Sequence, residues 1–281
     1  MSSVTLKRYS DVTKTWSDIK TWNYSGTTGV VTGTYTEAAE GVFYYKLVLK
    51  DVAGNSSEKT SATIYLDHSK PVISGLKNTI TDWTNVAPVI SVSATDYLSG
   101  TTYNGSGVSA IVIKNDSGVV VASGTSSVSY TLKASDEGVH TWTVVATDGV
   151  GWTSLGSVST KYDITAPGID GTEVTLVHNG EVLSGYCEDN IIDQHIDDKA
   201  WRSRNLPNQT SGLKSVILYR VVGTEKSVIC GSTTRATFSA SDTNSSFDMY
   251  YEIGADEKDA AYYLIVVSDH AGNVAKKKLI S

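Results

Sequence analysis

One stretch of this sequence occurs three times and sets the organisation of the chain. In its first copy, Tyr45–Asn55, apolar or aromatic residues stand six, four and two positions before an aspartate, and Asp-x-x-Gly follows. Apolar residues at every second position predict a strand with one buried face. The aspartate can accept hydrogen bonds from its own turn, and the glycine can take a positive φ. The later copies, at 142–151 and 263–273, predict that a strand ending in a tight turn is the repeated unit.

A second motif gives the length of the repeat. Asp-x-x-x-Pro-x-Ile-x-Gly occurs at Asp67–Gly75 and Asp163–Gly171, so that its two prolines are 96 residues apart. The turn aspartates Asp51 and Asp148 are 97 residues apart, and a period of this length is that of a whole domain. Proline lacks an amide proton and has a fixed φ, which suits the start of a strand where one domain follows another.

The two motifs predict three modules of unequal length. They span residues 1–68, 69–165 and 166–281. The first lacks the stretch that opens the middle module and is expected to be incomplete at its N-terminus. The last carries insertions near 190–210 and 239–258. Short apolar runs separated by Gly, Ser, Asn and Asp recur every ten or so residues, which is typical of β-sandwiches.

Composition agrees with an all-β fold and excludes two classes of partner. The chain has 16 Tyr and 6 Trp but only 3 Phe and 4 Pro, a mixture that favours strands and turns. A net charge of -7 repels nucleic acid and anionic lipid headgroups. No apolar run approaches the roughly eighteen residues of a membrane span, and residues 1–15 contain no signal-like apolar core. We therefore expect neither a nucleic-acid partner nor membrane insertion.

The Asp-x-Ala-Gly-Asn turn after an aromatic-led strand, followed by Asp-x-x-x-Pro-x-Ile, resembles the bacterial immunoglobulin-like repeats of extracellular and cell-wall surface proteins. The resemblance covers nearly the whole chain from Ser2. It implies tandem immunoglobulin-like β-sandwich modules in an elongated array. The middle copy departs from the motif, because Trp152 stands where the other copies have Asn55 and Asn273.

The resemblance also implies a function. We expect a non-catalytic fragment of a bacterial protein located outside the cell, at the cell surface or in the cell wall. It would act as an adhesin, as a binder of host protein or as a stalk. The alternative is a set of carbohydrate-binding or spacer modules accessory to a secreted glycan-degrading enzyme. No phosphate-binding Gly loop, Gly-x-Ser-x-Gly turn or His-Glu-x-x-His helix marks an enzyme in the sequence itself.

The first insertion of the last module holds the strongest candidates for partner binding. It gathers an acidic run and then Trp201, Arg202 and Arg204, a composition typical of protein-binding hot spots. The alternative is a loop that covers a sheet edge. The acidic members of this candidate site are Asp193, Asp197 and Asp198.

Calcium is the only cofactor that the sequence leaves open. Asp189, Asp193 and Asp197 offer oxygen ligands without the spacing of a twelve-residue calcium loop, so we interpret them as a solvated acidic loop. The turn aspartates could instead hold calcium between modules, or simply bond their own turns. These turn residues are Asp51, Asp148 and Asp269, with Asn55 and Asn273 beside two of them.

Two further groups of residues are candidates with a structural alternative. Cys187 and Cys230 are too few for a disulfide scaffold and fit no zinc spacing, so they form one candidate disulfide or two free thiols. Several aromatic residues outside the repeated motifs could stack on a sugar or anchor a protein, or could pack in a core. They are Trp16, Trp22, Tyr24, Trp83 and Trp201.

Overall fold

A computed structural model gives the fold of the chain. It describes residues 1–11, 13–25, 30–100, 102, 104–170, 175–178, 181–182, 190–197, 211–229, 235–237, 246–253 and 262–279. For the strands that fall within 170–210, 230–236 and 238–261, only the backbone is described.

The first sheet is built from the N-terminal residues. Its strands are β1 (Ser3–Ser10), β2 (Thr15–Asn23), β3 (Gly41–Lys50), β4 (Ser56–Thr60) and β5 (Ile64–Leu66). They pair in the antiparallel order β2-β1-β3-β4, and β5 also pairs with β3. Val4, Leu6 and Phe43 are buried on one face, but Leu47, on the same face of β3, is 40% exposed, so the predicted burial of this strand face is incomplete in the first copy of the repeat.

The middle region forms two sheets. Its strands are β6 (Val72–Asn78), β7 (Val89–Thr95), β8 (Val108–Lys114), β9 (Val120–Gly124), β10 (Ser127–Thr131), β11 (Gly138–Asp148) and β12 (Thr153–Tyr162), with a 3-10 turn at Ala134–Asp136. One sheet has the order β10-β7-β6 and the other β12-β11-β8-β9. Tyr130 of the first and Trp142 of the second lie 5.2 Å apart between ring centroids, and the buried Trp142 indole donates to Thr160 Oγ1 at 2.9 Å. The two sheets therefore form a β-sandwich.

The C-terminal region also forms two antiparallel sheets. Its strands are β13 (Gly168–Asp170), β14 (Thr175–His178), β15 (Glu181–Val182), β16 (Asn190–Asp197), β17 (Leu213–Val222), β18 (Glu225–Val228), β19 (Arg235–Thr237), β20 (Ser246–Ile253), β21 (Tyr262–Asp269) and β22 (Val274–Leu279). The order β13-β16-β14-β15, with β20 on β16, makes one sheet, and β18-β17-β21-β22, with β19 on β17, makes the other. Leu218, Tyr263 and Ile265 lie in its core.

The predicted solvated loop at the first insertion is wrong in part. Residues Asn190–Asp197 form β16, and all eight of them pair with β20, which lies in the second insertion. Two insertions that are far apart in sequence supply each other's backbone partners. This pairing satisfies those amide and carbonyl groups of each strand that point toward the other.

The predicted all-β fold class is confirmed. The described residues contain no α-helix, and so no helix long and apolar enough to cross a bilayer. Each strand pair described above joins strands of the same predicted module, while the division into three modules stays a prediction.

The chain separates into two compact units. Unit 1 comprises Met1–Leu76, Ser91–Ser129 and Thr143–Ser157; unit 2 comprises Lys77–Ile90, Tyr130–Trp142 and Val158–Ser281.

Candidate cation-binding site

Three aspartates meet at strand ends within unit 1. Asp67 directly follows β5, Asp96 directly follows β7, and Asp148 is the last residue of β11. One carboxylate oxygen of each lies within 4.8 Å of the other two. Three acidic groups are thus brought together from positions far apart in sequence.

Two carboxylate oxygens of this cluster are buried without a hydrogen-bond partner. Asp148 uses Oδ1 to accept from the amides of its own turn, at 2.6 Å from Gly151, while its Oδ2 has no partner. Asp96 accepts from the Gly107 amide at 2.8 Å through Oδ2, while its Oδ1 has none. Asp96 is 5% exposed and Asp148 is 2% exposed, so water does not solvate these charges freely. Burying an unpaired carboxylate oxygen is costly.

Asp67 is held against the other carboxylates by backbone groups. Its Oδ1 accepts from the Ser69 amide at 3.0 Å and its Oδ2 from the Ser106 amide at 2.5 Å. A Cβ at Gly105 would lie 2.6 Å from Asp67 Oδ2 and 2.7 Å from Asp96 Oδ2. Glycine at position 105 therefore permits this close packing.

The cluster is electrostatically strained without a counter-charge. No ion pair joins any of the three aspartates to a lysine or arginine among the residues that the structure describes. Burial raises the pKa of Asp96 and, against the bond from Gly107, the charges of Asp67 and Asp148 raise it further. Burial also acts to raise the pKa of Asp67, but the Ser106 and Ser69 hydrogen bonds lower it below its usual value.

The chemistry of the donor set suits a hard cation. All three groups are carboxylates, which are the ligands that calcium prefers, and no sulfur or imidazole takes part. A cavity of about 360 Å³ lies beside the cluster, lined by residues that include Asp67, Gly105 and Ser106. Of the three aspartates, Asp67 lines this cavity.

A glutamate fixes the segment that carries Asp67. The Glu40 carboxylate accepts from the His68 amide at 3.1 Å, from the Ser69 hydroxyl at 2.8 Å and from the Ser99 amide at 2.8 Å. Glu137, 97 residues later, accepts in the same way from the Ile164 and Thr165 amides, each at 2.9 Å.

A related pair of buried aspartates, Asp163 and Asp269, lies in unit 2, and there the protein itself supplies the hydrogen-bond partners. Asp163 accepts from the Ser211 amide at 2.9 Å through Oδ2 and from the Thr165 amide at 3.1 Å through Oδ1. Asp269 accepts from the Asn273 side chain at 2.8 Å through Oδ2 and from turn amides through Oδ1. All four carboxylate oxygens therefore have partners. Burial and the charge of Asp163 raise the pKa of Asp269 to about 6, although Asn273 donates to it.

One residue accounts for the difference between the two turn aspartates, Asp148 and Asp269. Asn273 Nδ2 donates both to Asp269 Oδ2 and to the Asp163 carbonyl, each at 2.8 Å. In the middle copy of the turn, Trp152 takes this position, and its indole nitrogen donates to the Asp67 carbonyl at 3.3 Å. An indole has a single donor, so nothing is left for Asp148 Oδ2.

Most of the predicted binding residues lie outside the described residues. These are Trp201, Arg202, Arg204, Asp198, Asp189, Cys187 and Cys230. Asp193 and Asp197 lie on β16, opposite Tyr250 and Ser246 of β20. Their role in binding, and the disulfide, stay predictions.

The sequence analysis did not single out Asp67 and Asp96 as candidate ligands, although Asp148 was a candidate. Asp67 served as a marker of the repeat, and Asp96 stands immediately after a strand of alternating apolar residues. The signal that could have found them is position: each of the three aspartates is at the C-terminal end of a strand. In a sandwich, strands that run in the same direction end at the same edge.

Comparisons with known proteins find similar solved structures at low identity. No protein-family model and no curated protein sequence matches the chain. A tetra-tandem repeat from the extending region of a large adhesion protein is 14% identical with a TM-score of 0.33, covering 100% of this chain and 66% of that one. The Dpr2 Ig1-Ig2 complex with DIP-Theta Ig1-Ig3 is 14% identical with a TM-score of 0.43, covering 99% and 88%.

A third similar structure is the three N-terminal domains of the Hoc outer capsid protein of bacteriophage RB49. It is 14% identical with a TM-score of 0.40, covering 98% of this chain and 84% of that one. Adhesin repeats and immunoglobulin domains are thus among the similar structures, as the sequence resemblance implies. At these TM-scores the likeness carries no argument about function.

Proposed function

We propose that this chain is a non-catalytic part of a bacterial extracellular or cell-surface protein whose repeats are joined across a calcium ion held by Asp67, Asp96 and Asp148. The observation that carries the proposal is the pair of buried, unpartnered oxygens on Asp96 and Asp148. A cation bound there offsets the repulsion between three carboxylates and supplies the partner that these oxygens lack.

Calcium at this position stabilises the folded linker segment. Asp67 follows the first sheet directly, whereas Asp96 and Asp148 belong to the middle sandwich, and all three lie in unit 1. An ion that binds all three holds the segment around residue 67 to the sandwich. Extracellular calcium modules typically bind with dissociation constants of about 10⁻⁴ to 10⁻³ M, which suits a protein outside the cell.

The biological role that follows is adhesion or support. A repeat protein whose linker is ordered by calcium can present a binding module away from a surface as a stalk. Partner capture would fall to the last module, with Trp201, Arg202 and Arg204 as anchors for a protein. The aspartates Asp193, Asp197 and Asp198 would supply the acidic part of that surface.

The test is calcium binding by the whole chain. Calorimetric titration with CaCl₂ after chelator treatment should give a site that Asp96→Asn abolishes. At one hundred times the dissociation constant, calcium should stabilise unit 1 by about 2.7 kcal/mol. The chelated Asp96→Asn variant should melt at or above the melting temperature of the chelated parent, because it removes a repelled charge.

Asp51→Asn is the matched control. Asp51 is the turn aspartate of the first copy, and its Oδ2 accepts from Asn55 at 2.7 Å. This variant should retain the calcium response. A calcium site that survives Asp96→Asn, or a chelated parent without any calcium response, would refute the proposal.

A further inference from the structure

Three aromatic rings form a row across the outer face of the first sheet. Tyr9 on β1 stands opposite Trp16 on β2 and opposite Tyr44 on β3. The ring centroids of Tyr9 and Trp16 are 5.3 Å apart, and those of Tyr9 and Tyr44 are 5.9 Å apart. The row thus runs perpendicular to the strands over three neighbouring positions.

This row lies on the face opposite the core. The buried residues Leu6 and Phe43 alternate with Tyr9 and Tyr44 along β1 and β3, so they point to the other side of the sheet. Trp16 is 43% exposed and sits on β2, the edge strand. Cross-strand aromatic pairs stabilise a sheet, but that role does not require a tryptophan whose ring remains open to solvent.

The charges around the row cancel in pairs. Lys7 lies 2.8 Å from Asp18, and Lys46 lies 3.0 Å from Glu58. Lys46 also stands over the Trp16 ring, with its Nζ 4.9 Å from the ring centroid. The surface therefore combines aromatic rings, whose planes are tilted by 50° and 54° to one another, with polar head groups that can donate and accept hydrogen bonds, and the two ion pairs beside them carry no net charge.

A neutral sugar ring matches this combination. One side of a pyranose presents C–H groups that pack on an aromatic face, while its hydroxyls need both donors and acceptors at the periphery. A polyanion does not fit, because each lysine is already neutralised by a carboxylate. An apolar protein helix would leave the ion-paired groups at the centre of the interface desolvated.

We propose that the outer face of the first sheet binds a neutral oligosaccharide, whose rings stack on Trp16, Tyr9 and Tyr44. The paired groups Lys7–Asp18 and Lys46–Glu58 bond its hydroxyls. The three aromatic residues of the row are not members of the aspartate cluster, so we expect binding without calcium.

The test is affinity electrophoresis of the whole chain in native gels. The gels contain one of four neutral polysaccharides, namely hydroxyethylcellulose, galactomannan, arabinoxylan or laminarin, with the polyanion alginate as a fifth. At least one neutral polysaccharide should retard the parent protein, in chelator as well as in calcium. Trp16→Ala should weaken the apparent affinity roughly tenfold or more.

Leu155→Ala is the control, since Leu155 is a 74% exposed apolar residue on β12, in a different sheet from the row. It should bind like the parent. Should Trp16→Ala lose the fold by circular dichroism, Trp16→Phe keeps a ring on β2 and should weaken binding by a smaller factor. Retardation by alginate alone, equal binding by a folded Trp16 variant, or no retardation by any neutral polysaccharide would each overturn the proposal.

Discussion

The aspartate clusters of the two units differ in how they compensate buried negative charge. In unit 2, Asn273 donates to Asp269, and each carboxylate oxygen of Asp163 and Asp269 has a partner within the protein. In unit 1, Trp152 replaces the asparagine, and oxygens on Asp96 and Asp148 lack a partner. The same turn can thus either satisfy its aspartate internally or leave it for a ligand, according to one side chain.

Asn273→Ala should produce the largest change in stability. It removes two donated bonds and leaves a buried carboxylate oxygen unpaired, a loss of roughly 2–4 kcal/mol in the free energy of unfolding of unit 2. Urea unfolding checks this. Asn55→Ala is its counterpart in the exposed first copy of the turn and should cost much less; equal losses would mean that burial of the cluster is unimportant.

The pH dependence of unit 2 should be the next largest effect. The folded-state pKa values of Asp163 and Asp269 are raised by burial, that of Asp269 to about 6. A raised pKa means that stability is fully present below the ordinary pKa near 4 and is lost as the pH rises through about 6. Thermal unfolding in saturating calcium should show unit 2 more stable at pH 5 than at pH 7.5, by about 1.4 kcal/mol from Asp269 alone, with Asp163 adding to the difference in the same direction.

Asp269→Asn provides the comparison for that experiment. Calcium should suppress any parallel contribution from Asp96, so the remaining slope belongs to unit 2. The variant should flatten the slope between pH 5 and pH 7.5. An unchanged slope would assign the titration to other groups.

Trp152→Asn should give the turn aspartate of unit 1 the same hydrogen bonding as its counterpart in unit 2. It should have the smallest effect on stability of the three changes. The asparagine can donate to Asp148 Oδ2 and to the Asp67 carbonyl, as Asn273 does for its own pair. Without calcium the variant should be more stable by about 1–2 kcal/mol, because a buried oxygen gains a partner. Calcium affinity, measured by titration, should fall roughly tenfold or more; full affinity would mean that Asp148 Oδ2 is not a ligand.

The strand pattern could be predicted from the sequence because it is local. Apolar residues at every second position before Asp51, Asp148 and Asp269 mark β3, β11 and β21. The turn bonds of Asp148 Oδ1 also follow from an Asp-x-x-Gly sequence.

The meeting of Asp67, Asp96 and Asp148 could not be predicted in the same way. Their approach depends on which strands end at the same edge, which is a property of long-range pairing. The free oxygen on Asp148 depends further on where the Trp152 indole points. Neither is encoded in a short motif.

The strand at Asn190–Asp197 could not be predicted because it lacks period-two alternation. Its sequence contains adjacent isoleucines and four charged or amide residues, which is typical of a polar loop. It is a strand because β20, β13 and part of β14 offer it backbone partners. Tertiary pairing outweighs local propensity here.

The pairing of β16 with β20 has a consequence for how this protein can vary. Surface loops usually lengthen or shorten independently of one another. Here each of eight residues in one insertion is matched by a residue in the other. Deleting either would expose a full row of amides and carbonyls on the remaining strand, so the two segments are expected to be gained and lost together among relatives.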